Sequence, residues 1–341
     1  MKSARLARCA SLRVASFSLA TLVACLGCDR PADVVIYTSV DQQFAEQAIK
    51  KFESDSGLKV AAVFDTEAGK TTGLLRRLER EAPAPRCDVW WSSEIFGTIE
   101  LARRGIFEKY DSPAAADIPA EWKDRDARWT ACAARARVLA FHPDRIRASD
   151  LPKTWREIVE RDWKTRLAVA NPLFGTTRGH LAAMFAYWGE EPAQEMLRRW
   201  ADGGARLADG NSQAVALLVA GQVDVAMTDT DDVWVAQARG ARIDLIYPAL
   251  DDKSPAVWIP CSVGVVAGAP HPAAARKLMD FLVSAQVEEL LARSDSKNVP
   301  VRKAVRKICG MSEMQPAAID FERVTDALKI SGEAARSTLL R

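Results

Sequence analysis

The chain has 341 residues, 48% of them hydrophobic and 27% charged, with a formal net charge of +2. That length and balance describe a folded protein of about two domains and exclude an intrinsically disordered one. Four of the positive charges, Lys2, Arg5, Arg8 and Arg13, stand at the extreme N-terminus, so the remainder is slightly acidic and nothing in the charge balance points to a nucleic-acid partner.

Those four cations precede an apolar run, Val14 to Cys25, in the order of a secretory leader. The run is shorter than the roughly 20 residues a membrane span requires, and no later stretch is long enough. Leu22, Val23, Ala24 and Cys25 resemble a bacterial lipobox, with Cys28, preceded by Gly27, as the alternative acceptor. Residues 1–24 are then a lipoprotein signal peptide, and the mature protein is exported and lipid-anchored in the cell envelope. An oxidising compartment permits disulfides among Cys87, Cys132, Cys261 and Cys309, but their spacing neither pairs them nor suits a metal.

Past the leader, "DVVIYTS" reads as a buried strand and "DQQFAEQAIKKFESDSG" as a helix with Phe44, Ala48, Ile49 and Phe52 on one face. "LKVAAVF" is a second strand, "TTGLLRRLERE" a second helix stopped by Pro83 and Pro85, "CDVWW" a third strand and "EIFGTIELARRG" a third helix. Such alternation predicts a parallel, doubly wound sheet. The long extended stretch "WTACAARARVLAFHP" breaks the pattern and is expected to cross into another lobe.

A second α/β unit follows: "TWREIVERDW" as a helix, "RLAVAN" as a strand, then the helices "RGHLAAMFAYWG", "AQEMLRRWADGG" and "NSQAVALLVAG", the strand "VDVAMT", the helix "DVWVAQARG" and the strand "RIDLIYP". Another long extended stretch, "AVWIPCSVGVVAGAP", leads back. The expected fold is α/β, with two lobes joined by two crossing strands around a cleft. Residues 33–135 and 261–305 form the first lobe, 136–260 the second, and 306–341 a helical C-terminal segment.

In open α/β sheets the C-terminal ends of the strands line the ligand crevice. That places Thr38, Ser39 and Asp41 in the cleft from the first strand, Trp91, Ser92, Ser93 and Glu94 from the third, and Asp229, Thr230, Asp231 and Asp232 from the other lobe. Carboxylates facing one another across a cleft repel unless a hard metal or an organic ammonium stands between them. The plainer reading of the same residues is that an Asp ahead of "VWVAQARG" caps a helix, and one Asp can cap while its neighbour faces the cleft. Gly175, Thr176 and Thr177, ahead of another helix, offer N–H and hydroxyl groups to an oxyanion or simply an N-cap, and Asn211 and Ser212 carry the same two readings.

One of Arg135 and Arg137, on the first crossing, is expected to face the cleft and either neutralise an anion or pair with the acidic turn. One of Trp90 and Trp91 is expected in the core, the other against the cleft, where its face would suit an ammonium. His142, His180 and His271 stand far apart, and no HExxH, GxSxG or GxGxxG pattern advertises catalysis.

The segments "VVIYTSVDQQFAEQAIKKFESDSGLKV", "FDTEAGKTTGLLRRLE", "DVWWSSEIFGTIELARRGIFEKY" and "GQVDVAMTDTDD", in that order between about residues 34 and 301, resemble an ABC-transporter solute-binding protein of the ferric-ion-binding type. The resemblance implies a type II sheet order, two hinge strands, closure around a small ligand and delivery to an ABC permease of the inner membrane by a monomer with no catalytic cofactor. In that family iron is held by a His or acidic residue after the first strand, an acidic residue after the third, two adjacent tyrosines and a synergistic anion.

Asp41 falls at the first of these places, Ser93 or Glu94 at the second, and Thr230 and Asp231 at the tyrosine pair, which removes the family's strongest iron ligands. Gly175, Thr176, Asn211 and Asp229 fall where the family holds its anion. The implied metal site is oxygen-only, Asp41, Glu94 and Asp231 with Asp232 adjoining, for Fe³⁺ with carbonate or phosphate. Related branches bind phosphonates, sugar phosphates, thiamine or polyamines; the Asp-rich turn with its tryptophans would suit an organic cation, and Gly175 to Thr177 with Arg135 a phosphate ester. A secreted enzyme on the same scaffold and a receptor that signals to a sensor kinase are the alternatives of other classes.

Overall fold

The computed structural model describes residues 31–65, 71–252 and 254–340; the leader, with Cys25 and Cys28, lies outside them. The first βα units are β1 (Val34–Thr38), α1 (Gln42–Ser56), β2 (Val60–Phe64), α2 (Thr72–Glu81), β3 (Val89–Ser92) and α3 (Phe96–Arg103). The first crossing is the twelve-residue strand β4 (Thr130–Phe141), buried along its whole length. Then come α4 (Trp155–Glu160), β5 (Leu167–Ala170), α5 (Gly175–Trp188), α6 (Glu190–Asp202), β6 (Arg206–Ala208), α7 (Asn211–Val219), β7 (Val225–Asp229), α8 (Thr230–Ala238) and β8 (Asp244–Ile246), before the second crossing, β9 (Trp258–Val265). Five helices close the chain: α9 (Pro272–Leu282), α10 (Ala285–Arg293), α11 (Lys303–Ile308), α12 (Phe321–Asp326) and α13 (Leu328–Leu339).

Local chemistry sets several of these boundaries. Thr154 and Glu157 form a reciprocal capping box at the start of α4, and the Ser284 hydroxyl accepts from the Val287 N–H to open α10. Strands β3, β5 and β7 are buried at every position, as strands covered by helices on both faces must be.

The two halves of the sheet repeat one plan. β1 pairs in parallel with β2 and β3, and β3 pairs antiparallel with β9; β5 pairs in parallel with β6 and β7, and β7 antiparallel with β4. Each half therefore runs second, first, third, then an antiparallel strand, and the two antiparallel strands pair with each other, with β8 added on β4. This places the C-terminal ends of β1 and β3 toward those of β5 and β7, with the crossings β4 and β9 as the floor between them. Residues 32–340 of this arrangement cluster as one compact unit. Cys132 and Cys261 sit opposite each other on the crossings, and the four described thiols, Cys87, Cys132, Cys261 and Cys309, are free. Among the described residues no helix is long and apolar enough to cross a membrane.

The halves also meet away from the crossings. Helix α12 packs on both α3 and α5, with the Phe321 ring 6.1 Å from Phe96 and 5.8 Å from Trp122. On α5, Arg178 pairs with Glu100 of α3 at 2.7 Å, and a Cβ at Gly179 would lie 2.1 Å from a Phe96 ring carbon. Only a glycine lets the two helices approach that closely. The variant Gly179→Ala gains helix propensity of about 1 kcal/mol, yet overpacking against a fully buried ring costs about 1–3 kcal/mol. Its melting temperature is therefore expected to fall, and Phe96→Leu in the same chain to recover most of the loss, both read by thermal unfolding.

Candidate functional site

The first lobe presents a knot of hydroxyls. The Thr38 hydroxyl accepts from the Val40 N–H at 3.1 Å. The Ser39 oxygen accepts from the Ser93 N–H at 3.0 Å and from the Thr71 hydroxyl at 3.1 Å, and lies 3.4 Å and 3.3 Å from the Ser92 and Ser93 hydroxyls. From this lobe Ser39, Asp41 and Ser93 line the cleft.

Three expectations are corrected here. Trp90 and Trp91 are both fully buried: β3 lies between β1 and β9 under helices, and the Trp90 indole N–H donates to Thr98 at 2.9 Å, so neither ring walls the cleft. Ser92 is equally interior, accepting from the Glu94 N–H at 3.2 Å. Glu94 turns back on its own lobe, where its carboxylate accepts from the N–H groups of Phe96 at 2.6 Å and Gly97 at 3.0 Å. It serves the start of α3, lines neither cleft cavity, and burial pushes its carboxyl up to about 7 despite those bonds. The structure does not bring it to the acidic turn.

The turn between β7 and α8 is built around arginine. Asp229 occupies the N-cap position of α8 but makes no side-chain cap bond there. Its register partner on β4 is Arg137, and the two side chains pair at 2.7 Å with no more than 1% exposure on either. Arg135 pairs with Asp231 at 3.0 Å, also buried, and its other nitrogen reaches the Cys261 sulfur at 3.3 Å. The expectation that only one of the two arginines faces the turn is thus overturned; residues two apart on a strand share a face. Asp231 and Asp232 lie in the first turn of α8, where the helix dipole favours a negative charge. Asp232 accepts from the Thr228 hydroxyl at 3.1 Å, and the buried Thr230 hydroxyl accepts from the Ala136 N–H at 3.2 Å, tying the turn to β4. Oxygens of Asp229, Asp231 and Asp232 lie within 4.8 Å of one another.

Gly175, Thr176, Thr177 and Asn211 do converge, around a carboxylate of this chain. Gly175 opens α5 with φ +53°, a conformation that costs a glycine little, and leaves the following hydroxyls facing the start of α7. Thr176 donates to Asp229, Asn211 donates to Asp229 at 2.8 Å and to Thr176 at 2.9 Å, and Thr177 donates to Asn211 at 3.1 Å. Arg137 adds its bonds to Thr176 and Asn211, each 3.2 Å. Asp229 is the oxyanion in this seat.

Sequence reasoning missed His180. Its Nδ1 accepts from Arg137 Nε at 3.2 Å, and its ring stands edge-on to Trp155 at 4.5 Å. Burial first, then the Arg137 charge, holds the imidazole well below its usual pKa and therefore neutral. No local pattern on α5 marks it.

Two cavities adjoin the turn. The inner one, about 30 Å³, is bounded by Asp41, Ser93, Arg135, Gly175, Asn211, Asp229, Asp231 and Asp232 among others; it admits an ion or a water. The outer one, about 850 Å³, is lined by Asp41, Asp65, Asp231 and Asp232 and by apolar side chains that include Val40, Phe44, Phe64, Val215 and Val219. Acidic residues outnumber basic ones around both. None of Tyr37, Tyr110, Tyr187 and Tyr247 lines either cavity.

A family model described as bacterial extracellular solute-binding protein matches residues 99–319. The chain is 23% identical over 321 residues to the iron uptake protein A1 of Synechocystis, covering 89% of this chain and 87% of that one. It is 24% identical over 268 residues to a putative 2-aminoethylphosphonate-binding periplasmic protein of Salmonella typhi, covering 75% and 72%. Among solved structures, the ferric binding protein from Campylobacter jejuni superposes with a TM-score of 0.80 at 18% identity over 90% of this chain and 99% of that one. The fold is thus the type II two-lobed fold of periplasmic binding proteins.

A neutral, buried His180 has a consequence for stability. Unfolded, it takes a proton below about pH 6.5; folded, it does not, so its contribution to stability falls as pH drops, by about 1.4 kcal/mol per pH unit. Glu94, raised in the folded state, acts in the opposite sense between its ordinary value and about 7. The difference between the wild type and His180→Gln isolates the histidine. Urea unfolding is expected to show the wild type losing ground to the variant as pH falls from about 6.5 to 5.

Proposed function

Because the chain belongs to the family of bacterial extracellular solute-binding proteins, we propose that it is the receptor of an ABC importer in the cell envelope. It is a monomer, tethered by a lipid on Cys25, that traps a cation-bearing ligand between its lobes without chemistry and presents it to the permease. The observation that carries this is the acidic turn, with Asp229, Asp231 and Asp232 within 4.8 Å of one another and Asp41 bordering the same two cavities from the first lobe. Even with Arg135 and Arg137 paired to two of them, the carboxylates bordering the two cavities outnumber the guanidiniums, and that surplus negative charge favours a cation.

Ferric iron is the first cargo we propose, supported by an all-oxygen ligand set suited to a hard cation and by the name of the Synechocystis relative. Loading exchanges Arg135 for the ion at Asp231, with Asp41 and Asp232 as further ligands, and leaves Arg135 facing any carbonate or phosphate that accompanies it. Since Asp229 already fills the oxyanion seat against Arg137, Thr176 and Asn211, the added anion contributes little to affinity.

A second cargo class is favoured by the apolar walls and volume of the outer cavity and by the two guanidinium–carboxylate pairs. It is a zwitterion such as 2-aminoethylphosphonate, its ammonium at Asp41 and Asp232 and its phosphonate at Arg135.

Dialysis against ferric citrate followed by metal analysis decides between them. The expected result is an iron-to-protein ratio near one, unchanged by phosphate, in a complex lacking the tyrosinate-to-iron visible band, and lost in both Asp41→Asn and Asp231→Asn. A chain that retains no iron under either condition but is stabilised by 2-aminoethylphosphonate in a thermal-shift assay overturns the ferric assignment in favour of the zwitterion.

A further inference from the structure

Strand β4 carries one residue too many. Against β9 its register runs Cys132 with Cys261, then Ala134 with Pro260 and Arg135 with Ile259. Ala133 has no partner on β9, and its φ of +53° puts a residue with a Cβ in the left-handed region, the mark of a bulge. The bulge is held from outside the β4–β9 ladder. Ala134 exchanges backbone bonds with Val299 at 2.7 and 2.8 Å. The Ala133 N–H goes to the carboxylate of Glu288 at 3.2 Å. Glu288, on α10, is fully buried; the same oxygen accepts from the Val301 N–H at 2.8 Å, and the other lies 3.3 Å from Arg302.

The extra residue changes which way the rest of the strand faces. Partners across a ladder share a face, so Cys132 lies with Cys261 and Arg135 with Ile259. Cys261 and Ile259 are two apart on β9 and share a face, so Cys132 and Arg135, three apart on β4, do too. Plain alternation puts residues three apart on opposite faces. Arg137 follows Arg135 and meets its register partner Asp229.

We infer that the Ala133 bulge, pinned by Glu288, is the positioning device of the ligand site: it turns Arg135 and Arg137 onto the face of the acidic turn and so sets the charge a ligand meets. Neither Ala133 nor Glu288 lines the cleft cavities; both act through the arginines. The consequence for cargo rests on the function proposed above, whereas the aiming of the arginines is independent of it.

The test is a set of double-mutant cycles on the full chain, read by thermal unfolding. In the parent, Asp231→Asn takes the carboxylate charge from the buried Arg135 pair and is expected to lower the melting temperature by about 5–15 °C. With Ala133 deleted, or with Glu288→Ala, Arg135 is no longer aimed at position 231, and the same substitution is expected to cost less than about a third of that. Glu288→Gln keeps an acceptor for the Ala133 N–H and retains the parental response.

An undiminished cost in the deletion overturns the role of the bulge, and an undiminished cost with Glu288→Ala overturns the pinning; the Glu288 pair decides alone if the deletion does not fold. Iron retention is measured on the same variants after dialysis against ferric citrate. A parent that holds iron and a deletion that does not supports the link to cargo, and equal retention overturns it. A parent that holds none removes the ferric assignment while the cycles still decide the bulge.

Discussion

The ion pair between Arg137 and Asp229 organises the second lobe's side of the cleft. Both groups are withdrawn from water, and a buried charge persists only where partners replace its hydration. Asp229 collects a guanidinium, the Thr176 hydroxyl and the Asn211 amide, and each of those partners begins a helix or lies on a crossing strand. Satisfying one carboxylate therefore fixes the starts of α5, α7 and α8 against β4. The Arg137 Nη2 has no hydrogen-bond partner among the described residues, so the pair is not a stability optimum in isolation; replacing such pairs by apolar residues is often neutral or favourable. Its retention fits a site where charge is needed.

That organisation restricts what the cleft can take. With two guanidiniums drawn into the turn, three neighbouring carboxylates no longer present three unbalanced charges, and a bare trivalent ion meets a weaker field than the acid count suggests. Under the proposed ferric loading, an ion that takes Asp231 displaces Arg135 from it, whereas the proposed ammonium beside Asp41 and Asp232 leaves both arginine pairs in place. Exchange makes affinity a difference between two electrostatic interactions and therefore easy to reverse, a useful property in a receptor that must release its cargo.

Much of the architecture was legible because its signals are local and periodic. Alternating βα units, two unusually long extended stretches and the acidic turn at a strand end follow from hydrophobic spacing and from where open α/β sheets place ligands. Asp229 and Asp231 were placed at the cleft for that reason, whereas Thr176 and Asn211 were grouped with Asp229 only through the family resemblance. Glu94 was misplaced because a carboxylate two and three residues ahead of free helix N–H groups satisfies them locally, and sequence order at a strand end does not reveal which way the chain turns. Trp91 was misplaced because burial on both faces of β3 depends on partners distant in sequence. Arg137 and His180 lie in a network whose members span residues 137 to 229, and the bulge at Ala133 is invisible in a run of alanines because it is held by Glu288, more than 150 residues away.

The two arginines have different mechanical positions. Arg137 and Asp229 are register partners on β4 and β7, within the second half of the sheet, so a rotation of one lobe against the other carries both together. Arg135 pairs through the backbone with Ile259 of β9, at the seam of the halves, while its carboxylate partner Asp231 rides on α8. Twisting the crossing strands therefore alters the Arg135–Asp231 contact before it disturbs Arg137–Asp229. The first pair is the movable counter-ion and the second the fixed one. In the proposed closure, lobe motion and the charge offered to a ligand run through the same strand, with the bulge just upstream of Arg135.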